Sequence, residues 1–90
     1  MRMRTVDHPP ASIPVLLFAS YADAFGARTI YVSLSTPCSG HALIDALRAL
    51  PGGDRLPATP LLAVNRSWSE LDHLVQPGDE VALIPPVAGG

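Results

Sequence analysis

The chain has 90 residues, of which 48% are hydrophobic and 16% charged, and its formal net charge is −2. These values indicate one folded domain with a modest core rather than a disordered chain. Because no stretch is rich in basic residues, the composition argues against binding to nucleic acid or to an anionic membrane surface. No apolar run approaches the length of about 18 residues that a membrane-spanning helix needs.

Lysine is absent from the sequence, and all 6 basic residues are arginine, at positions 2, 4, 28, 48, 55 and 66. Conjugation of copies of this chain to one another through lysine side chains is therefore excluded by composition. The single cysteine, Cys38, excludes an internal disulfide and a zinc site made of cysteines. We therefore expect the protein to be cytoplasmic, since the cytoplasm is reducing.

Residues 1–14 contain two arginines and three prolines but no continuous apolar stretch, so they do not form a secretory signal peptide. We predict that they are a flexible N-terminal extension, since chain termini are usually loose. The alternative is an arm that docks on a partner.

Two strands are predicted before the first helix. Residues 15–19 form a short apolar run, and residues 28–35 alternate with β-branched and aromatic side chains. Residues 20–27 are predicted to join these strands as a turn.

One helix is predicted after Thr36 and Pro37, which end the second strand. Ser39 is placed to cap the helix N-terminus, and apolar residues then recur at the helical spacing i, i+3, i+4 and i+7, namely Leu43, Ala46, Leu47 and Leu50. Residues 51–60 are rich in proline and glycine and predict an irregular loop.

The remaining chain predicts more strands. Residues 61–65 form the third, Arg66 and Ser67 its turn, and Trp68 begins a short return that leads to a final strand from Glu80. Two strands, a helix and further strands indicate an α+β domain, a mixed sheet with the helix packed across one face. We place this domain at residues 15–86.

The last residues of the sequence form an unusual ending. Pro85 and Pro86 remove two successive backbone donors and so stop the final strand. Residues 87–90, Val-Ala-Gly-Gly, then form a tail whose last two residues have no side chains. A tail of this kind, with a carboxylate at Gly90, can enter a narrow slot in another protein.

This ending, read together with residues 62–65 (LAVN) and 15–19 (VLLFA), resembles the MoaD/ThiS-type sulfur carriers. That family includes the small subunit of molybdopterin synthase and is related to ubiquitin by fold. The resemblance runs without an evident gap over residues 61–90. It implies a β-grasp, ubiquitin-like sheet in which the first and last strands are parallel neighbours, followed by a flexible C-terminal Gly-Gly tail.

The resemblance also implies a chemistry for the tail. In this family an E1-like activating enzyme uses ATP and magnesium to adenylate the terminal glycine, here Gly90. A persulfide sulfur then displaces AMP and leaves a thiocarboxylate. In molybdenum cofactor biosynthesis, that sulfur passes to cyclic pyranopterin monophosphate in the large catalytic subunit, and the two subunits form a heterotetramer if the large subunit is a dimer. The chain itself would be a non-catalytic sulfur donor that binds no cofactor.

The resemblance further assigns partner contacts. The family presents apolar residues to its activating enzyme and large subunit at the positions of Phe18, Trp68 and Ile84, and the tail inserts through Pro85, Pro86, Val87, Ala88 and Gly89. Trp68 stands where a smaller aliphatic residue is usual, so ordinary core packing is the alternative for it. The long N-terminus and the 51–60 loop are further departures from the family pattern.

Other residues offer weaker chemistry. His8, His41 and His73 lack the close spacing of shared metal ligands, so no metal site is predicted. Cys38 lies beside a helix start, where it is either a reactive thiol or an ordinary small residue, and the second reading is favoured. The sequence pair at positions 79 and 80 reads as a turn and strand start, with a salt bridge to a partner enzyme as the alternative.

Two further functions remain open. The first is a sulfur carrier of the same fold for thiamine, cysteine or other biosynthesis, or a ubiquitin-like protein modifier. The second is a plain binding module in which the tail is incidental. The double proline and Phe18 favour the molybdopterin pathway.

Overall fold

The structure is a computed structural model, and it describes residues 11–86. Two α-helices, one 3₁₀ helix and seven strands form this part of the chain. In chain order they are β1 (Ala11–Leu17), α1 (Ser20–Phe25), β2 (Thr29–Leu34), β3 (Cys38–Ser39), α2 (Gly40–Arg48), the 3₁₀ helix (Gly53–Arg55), β4 (Leu61–Val64), β5 (Ser67–Ser69), β6 (Leu74–Val75) and β7 (Val81–Ile84). Neither α-helix in this region has the length and apolar character that crossing a bilayer requires.

The main sheet has five strands in the order β2-β1-β7-β4-β5. Strands β1 and β7 are parallel, with Val15 opposite Val81, and the other neighbours are antiparallel. Strands β3 and β6 form a separate two-stranded ladder. The first and last strands are therefore neighbours at the middle of a mixed sheet, and the predicted β-grasp arrangement is confirmed.

Helix α2 covers one face of this sheet, as the sequence predicts. It begins after Ser39, whose Oγ accepts a hydrogen bond of 3.1 Å from the N–H of Ala42. Leu43 and Leu47 are fully buried. Leu50, however, lies beyond the helix end and is 38% exposed, so the prediction that it belongs to the buried face is wrong. Ile44, adjacent to Leu43 on the helix, is buried instead.

Strand β1 begins at Ala11, so the predicted extension is wrong for its last four positions. Residues 11–14 pair with β2, and Ile13 is buried in the same core as Val15. Proline is tolerated at position 14 because the pairing of β1 with β7 starts only at Val15, which leaves Pro14 a neighbour on one side only. Residues 1–10 lie outside the described residues.

The predicted turn at 20–27 contains helix α1, which is also a correction. Tyr21 and Phe25, at i and i+4, lie on one side of this helix, and both pack against the core. Gly26, with a φ of 72°, ends the helix in the left-handed conformation. Burial of an aromatic pair therefore stabilises a helix that is too short to show a clear period in the sequence.

The 51–60 segment is more ordered than predicted. It contains the 3₁₀ helix, and Leu56, the residue directly after that helix, is buried. The Nε of Arg48 donates to the carbonyl oxygen of Leu56 at 3.0 Å. Gly52 has a φ of 91° and lies against the backbone of Ala24, where a β-carbon would collide with the carbonyl oxygen.

Ala19 has a strained backbone. With φ of 51° and ψ of −123° it occupies the second position of a type II′ turn, closed by a 3.0 Å hydrogen bond from the N–H of Tyr21 to the carbonyl of Phe18. This conformation suits glycine and costs an L-residue on the order of 1–3 kcal/mol.

We therefore predict that Ala19→Gly raises the free energy of unfolding by about 1 kcal/mol, because relief of strain outweighs the greater entropy of the unfolded chain. Urea unfolding measures this free energy. The matched control is Ala46→Gly within α2, where the same change should lower the free energy of unfolding by about 1 kcal/mol. Equal destabilisation by both substitutions would contradict the strain.

Candidate functional site

The open face of the main sheet, opposite α2, carries a shallow apolar depression. Its floor is formed by the small side chains of Ala63 and Ala82, which are paired across β4 and β7. Trp68 continues this row on β5, and Leu16 continues it on β1. We call this feature the Trp68 depression, and its lining consists of Leu16, Phe18, Ala63, Arg66, Trp68, Glu80, Ala82 and Ile84.

The three predicted contact residues meet at this depression. Trp68 is 68% exposed and Phe18 is 48% exposed, whereas Ile84 is half-buried. The alternative that Trp68 is an ordinary core residue is therefore wrong. Its cross-strand neighbour is Ala63, whose methyl group covers little of an indole ring. That these residues contact a partner remains a prediction.

Alternation along β7 decides which side chains reach the depression. Val81 and Leu83 are fully buried against the core, and Ala82 and Ile84 point to the opposite face. One face of this strand therefore forms part of the core, and the other forms part of the depression.

The start of the tail lies beside the same surface. Pro85 is half-buried and Pro86 exposed, and both follow directly after Ile84, a lining residue. The chain therefore leaves the sheet at the margin of the Trp68 depression. The predicted tail residues Val87, Ala88, Gly89 and Gly90 lie outside the described residues.

The acidic residues before β7 form local hydrogen bonds. Asp79 accepts from the N–H of Gln76 at 2.8 Å and from Nδ2 of Asn65 at 3.0 Å. The Nε of Arg66 lies 3.4 Å from Oε1 of Glu80. These contacts agree with the favoured prediction of a turn and strand start, and the salt bridge to a partner enzyme stays untested. The hydrogen bonds from Gln76 and then Asn65 lower the pKa of the Asp79 carboxyl.

Cys38 and the histidines do not form a reactive centre in residues 11–86. Cys38 is buried, and burial raises the pKa of its thiol, which favours the ordinary small-residue reading. Nε2 of His41 lies 3.2 Å from Asp72. No group of three or more possible metal ligands occurs in this part of the chain. His8 lies outside it.

Sequence reasoning missed part of this site. Leu16 could have been assigned to the open face from alternation along β1, and Ala63 from alternation along β4. The prediction of the turn at Arg66 and Ser67 is wrong by one residue, because β4 ends at Val64 and the turn consists of Asn65 and Arg66. The sequence carries a weak signal for this position, since asparagine is common in two-residue hairpin turns. The contacts of these two turn residues with Asp79 and Glu80, just before β7, depend on tertiary structure and have no local sequence pattern.

These observations define a β-grasp domain with an apolar depression on its open face, next to the strand that leads into a Pro-Pro-Val-Ala-Gly-Gly segment. The chain belongs to the ThiS family, whose model matches residues 15–90. The family resemblance drawn from the sequence is thus confirmed.

Similar proteins were found both by sequence and by structure. The molybdopterin synthase sulfur carrier subunit of Homo sapiens is 34% identical over 86 residues, covering 91% of this chain and 98% of that protein. SAMP1 of Haloferax volcanii, a small archaeal modifier protein, has a TM-score of 0.75 at 29% identity, covering 89% of this chain and 100% of its own. A chain in the complex of subunits 1 and 2 of molybdopterin-converting factor from Helicobacter pylori shares the fold, with a TM-score of 0.62 at 20% identity and coverage of 87% and 97%.

The hydrogen bonds to Asp79 predict how its carboxyl group titrates in acid. Its pKa should lie below the ordinary value of about 3.9, and Asn65→Ala should raise it only part of the way, because the N–H of Gln76 still donates. Carbon-13 NMR of the carboxyl measures both values.

The sign of the stability effect follows from this depressed pKa. The ionised carboxylate stabilises the fold above the ordinary pKa, and this contribution is lost as the pH falls through the lower, folded-state pKa. A titration that is unchanged by Asn65→Ala would show that the side-chain hydrogen bond does not act on Asp79.

Proposed function

We propose that this protein is the sulfur-carrier small subunit of molybdopterin synthase, in molybdenum cofactor biosynthesis. The observation that carries the proposal is that Pro85 and Pro86 follow Ile84 at the margin of the Trp68 depression, directly before Val-Ala-Gly-Gly in the sequence. Because the described chain ends at Pro85 and Pro86 beside the depression, a partner bound there would lie close to the point where the tail begins. The similarity to the human sulfur carrier subunit supports the same assignment.

The reactive group we propose is the C-terminal carboxylate of Gly90. A carboxylate resists nucleophilic attack, so an E1-like activating enzyme first uses ATP and magnesium to convert it to an acyl adenylate. The terminal sulfur of a persulfide then displaces AMP and forms an acyl disulfide, and a thiol attacks this S–S bond to release the thiocarboxylate and leave a disulfide on the donor side. A thiocarboxylic acid is more acidic than a thiol and is an anion at neutral pH, so it attacks cyclic pyranopterin monophosphate without a dedicated base.

The diglycine suits two successive active sites. Without β-carbons, Gly89 and Gly90 pass through a slot that is only as wide as the backbone and adopt different dihedral angles in each partner. Pro85 and Pro86, which precede the tail, restrict the backbone angles at their own positions and lack the N–H groups needed to continue the sheet. In this proposal the residues that polarise the substrate belong to the large subunit, and the chain itself binds no cofactor.

The partner of the Trp68 depression in this proposal is the large catalytic subunit, in a heterotetramer. The depression presents Phe18, Trp68 and Ile84 around a floor of alanines, and exposed aromatic residues of this kind are common anchors at interfaces. The same fold in a Helicobacter pylori complex of subunits 1 and 2 of molybdopterin-converting factor supports a large-subunit partner. We place the complex in the cytoplasm, where Cys38 stays reduced.

A ubiquitin-like modifier is the second candidate. The likeness to a small archaeal modifier protein favours it. Both functions begin with adenylation of the terminal glycine, so they differ only in the acceptor. A sulfur atom accepts the acyl group in a carrier, and a lysine of another protein accepts it in a modifier.

Intact-mass spectrometry of the protein from a host able to load it tests the assignment. A carrier should gain about 16 Da by exchange of one oxygen for sulfur at Gly90, and deletion of Gly90 should abolish the gain. Addition of the large subunit and cyclic pyranopterin monophosphate should then return the mass to its starting value. An isopeptide bond to a lysine of another protein, with no gain of sulfur, would favour the modifier. If neither product forms, the tail is inert and both functions are contradicted.

Trp68→Ala tests the docking surface. We expect the Kd for the large subunit to rise about 30-fold, as for an aromatic interface anchor, while the free energy of unfolding changes by less than about 1 kcal/mol because the indole is exposed. Calorimetric titration and urea unfolding measure the two quantities. The matched control is Tyr31→Ala, since Tyr31 is 67% exposed but does not line the depression, and it should leave the Kd unchanged. Equal losses of binding and stability for Trp68→Ala would argue against an interface role.

A further inference from the structure

The hairpin that carries Trp68 turns at two residues with unusual backbone angles. Asn65 and Arg66 have φ values of 53° and 70°, the left-handed pair of a type I′ turn, and they join β4 to β5. Asparagine tolerates this conformation better than most residues. The turn therefore explains why the backbone accepts Asn65, but it does not explain what the side chain does.

The side chain of Asn65 extends the β4–β7 ladder by one step. The last strand pair is Val64 with Val81, and the N–H of Asn65 then donates to the carbonyl of Glu80 at 2.7 Å. The return bond, from the N–H of Glu80, goes at 2.9 Å to Oδ1 of Asn65. Because the backbone has already turned away from the strand, the side-chain amide oxygen takes the place of the main-chain carbonyl.

The other end of the same amide holds the turn that precedes β7. Nδ2 of Asn65 donates to Oδ1 of Asp79 at 3.0 Å, and Oδ2 of Asp79 accepts from the N–H of Gln76 at 2.8 Å. One side chain thus joins the hairpin, the turn and the first residue before β7. We call these four residues, Asn65, Gln76, Asp79 and Glu80, the Asn65 clamp.

The clamp lies beside the depression. Glu80, a clamp residue, and Arg66, which follows Asn65 in sequence, both line the depression. Trp68 is three positions beyond Asn65, on the shortest strand of the main sheet. Only three strand pairs hold β5, namely Val64 with Ser67, Ala63 with Trp68 and Leu62 with Ser69. Because so few pairs hold β5, its orientation depends strongly on the contacts that hold the turn joining it to β4.

We propose that Asn65 is a positioning residue, which sets the Trp68 hairpin against β7 and so holds the Trp68 depression in the shape that the large subunit binds. The binding part of this inference rests on the proposed function. Asn65 touches no substrate and acts through Trp68 and Glu80.

An exchange of donor and acceptor tests the inference. Asn65→Asp keeps the acceptor for the N–H of Glu80 but brings a second carboxylate oxygen against Asp79. We expect the Kd for the large subunit to rise about three- to tenfold and the amide of Glu80 to exchange hydrogen about tenfold faster. Asp79→Asn alone places an amide against the amide of Asn65 or against the N–H of Gln76, so a similar but smaller defect is expected.

The double variant Asn65→Asp/Asp79→Asn should rescue both properties. It reverses the direction of one hydrogen bond, leaves acceptors for the N–H groups of Glu80 and Gln76, and keeps the net charge. The Kd and the Glu80 exchange rate should return to within about twofold of the wild type, which a general change in turn preference or stability would not produce. The amide of Leu83, in the core of β7, should exchange at the wild-type rate in all variants and serves as the internal control.

The indole N–H signal of Trp68 in NMR separates this inference from the proposed function. It should shift or broaden in Asn65→Asp and return in the double variant, whether or not a partner is present. If wild-type protein fails to bind the large subunit, the proposed function fails while the indole signal and Glu80 exchange still decide the role of Asn65. Wild-type indole and exchange behaviour in Asn65→Asp, or a double variant as defective as the single one, would overturn the inference.

Discussion

The position of β7 between β1 and β4 is the constraint on which the rest of the structure depends. Its core side chains, Val81 and Leu83, are fully buried, and each buried side chain of this size contributes on the order of 2 kcal/mol. A shift of the strand by one residue would move them to the open face and bring Ala82 and Ile84 into the core. The apolar core therefore fixes the strand register, and the register in turn fixes which side chains form the Trp68 depression.

Strand β7 contributes side chains to the core and also leads into the proposed reactive tail. A tail that binds one partner after another must begin at a fixed position. The distance from the docking surface to the first residue of the tail then stays constant. Ile84 satisfies both needs, since it lines the depression and directly precedes Pro85. A fixed strand before the tail is therefore a requirement of the proposed carrier function.

The sequence predicted the elements whose signals are local and long. Ser39 with the apolar spacing of α2 identified the helix, and alternation identified β2, β4 and β7. Helix α1 was missed because two aromatic positions, Tyr21 and Phe25, are too few to show a period. Strands β3 and β6 have two residues each and exist through their mutual pairing, so no local pattern marks them. Pro14 concealed the first half of β1 because proline is rare in strands with neighbours on both sides.

For the candidate site, the family resemblance selected Phe18, Trp68 and Ile84, and the structure places all three at the Trp68 depression, while their contact with a partner stays a prediction. The Asn65 clamp was not predicted because it consists of hydrogen bonds between residues up to fifteen positions apart. Such bonds are decided by how a turn and a strand meet after folding, whereas sequence patterns report mainly on residues within one element. Polar positioning contacts are thus the part of a site that is hardest to infer from one sequence.

The parallel pairing of Val15 with Val81 has a consequence for the order of events during synthesis. Strand β1 is among the first parts of the described chain to leave the ribosome, and β7 is the last. Until β7 emerges, β1 has a free edge and β4 lacks its partner on the same side, so the five-stranded sheet cannot close. Folding of the described domain is therefore coupled to completion of its final strand, and a nascent chain that stalls before β7 presents open edges to other chains.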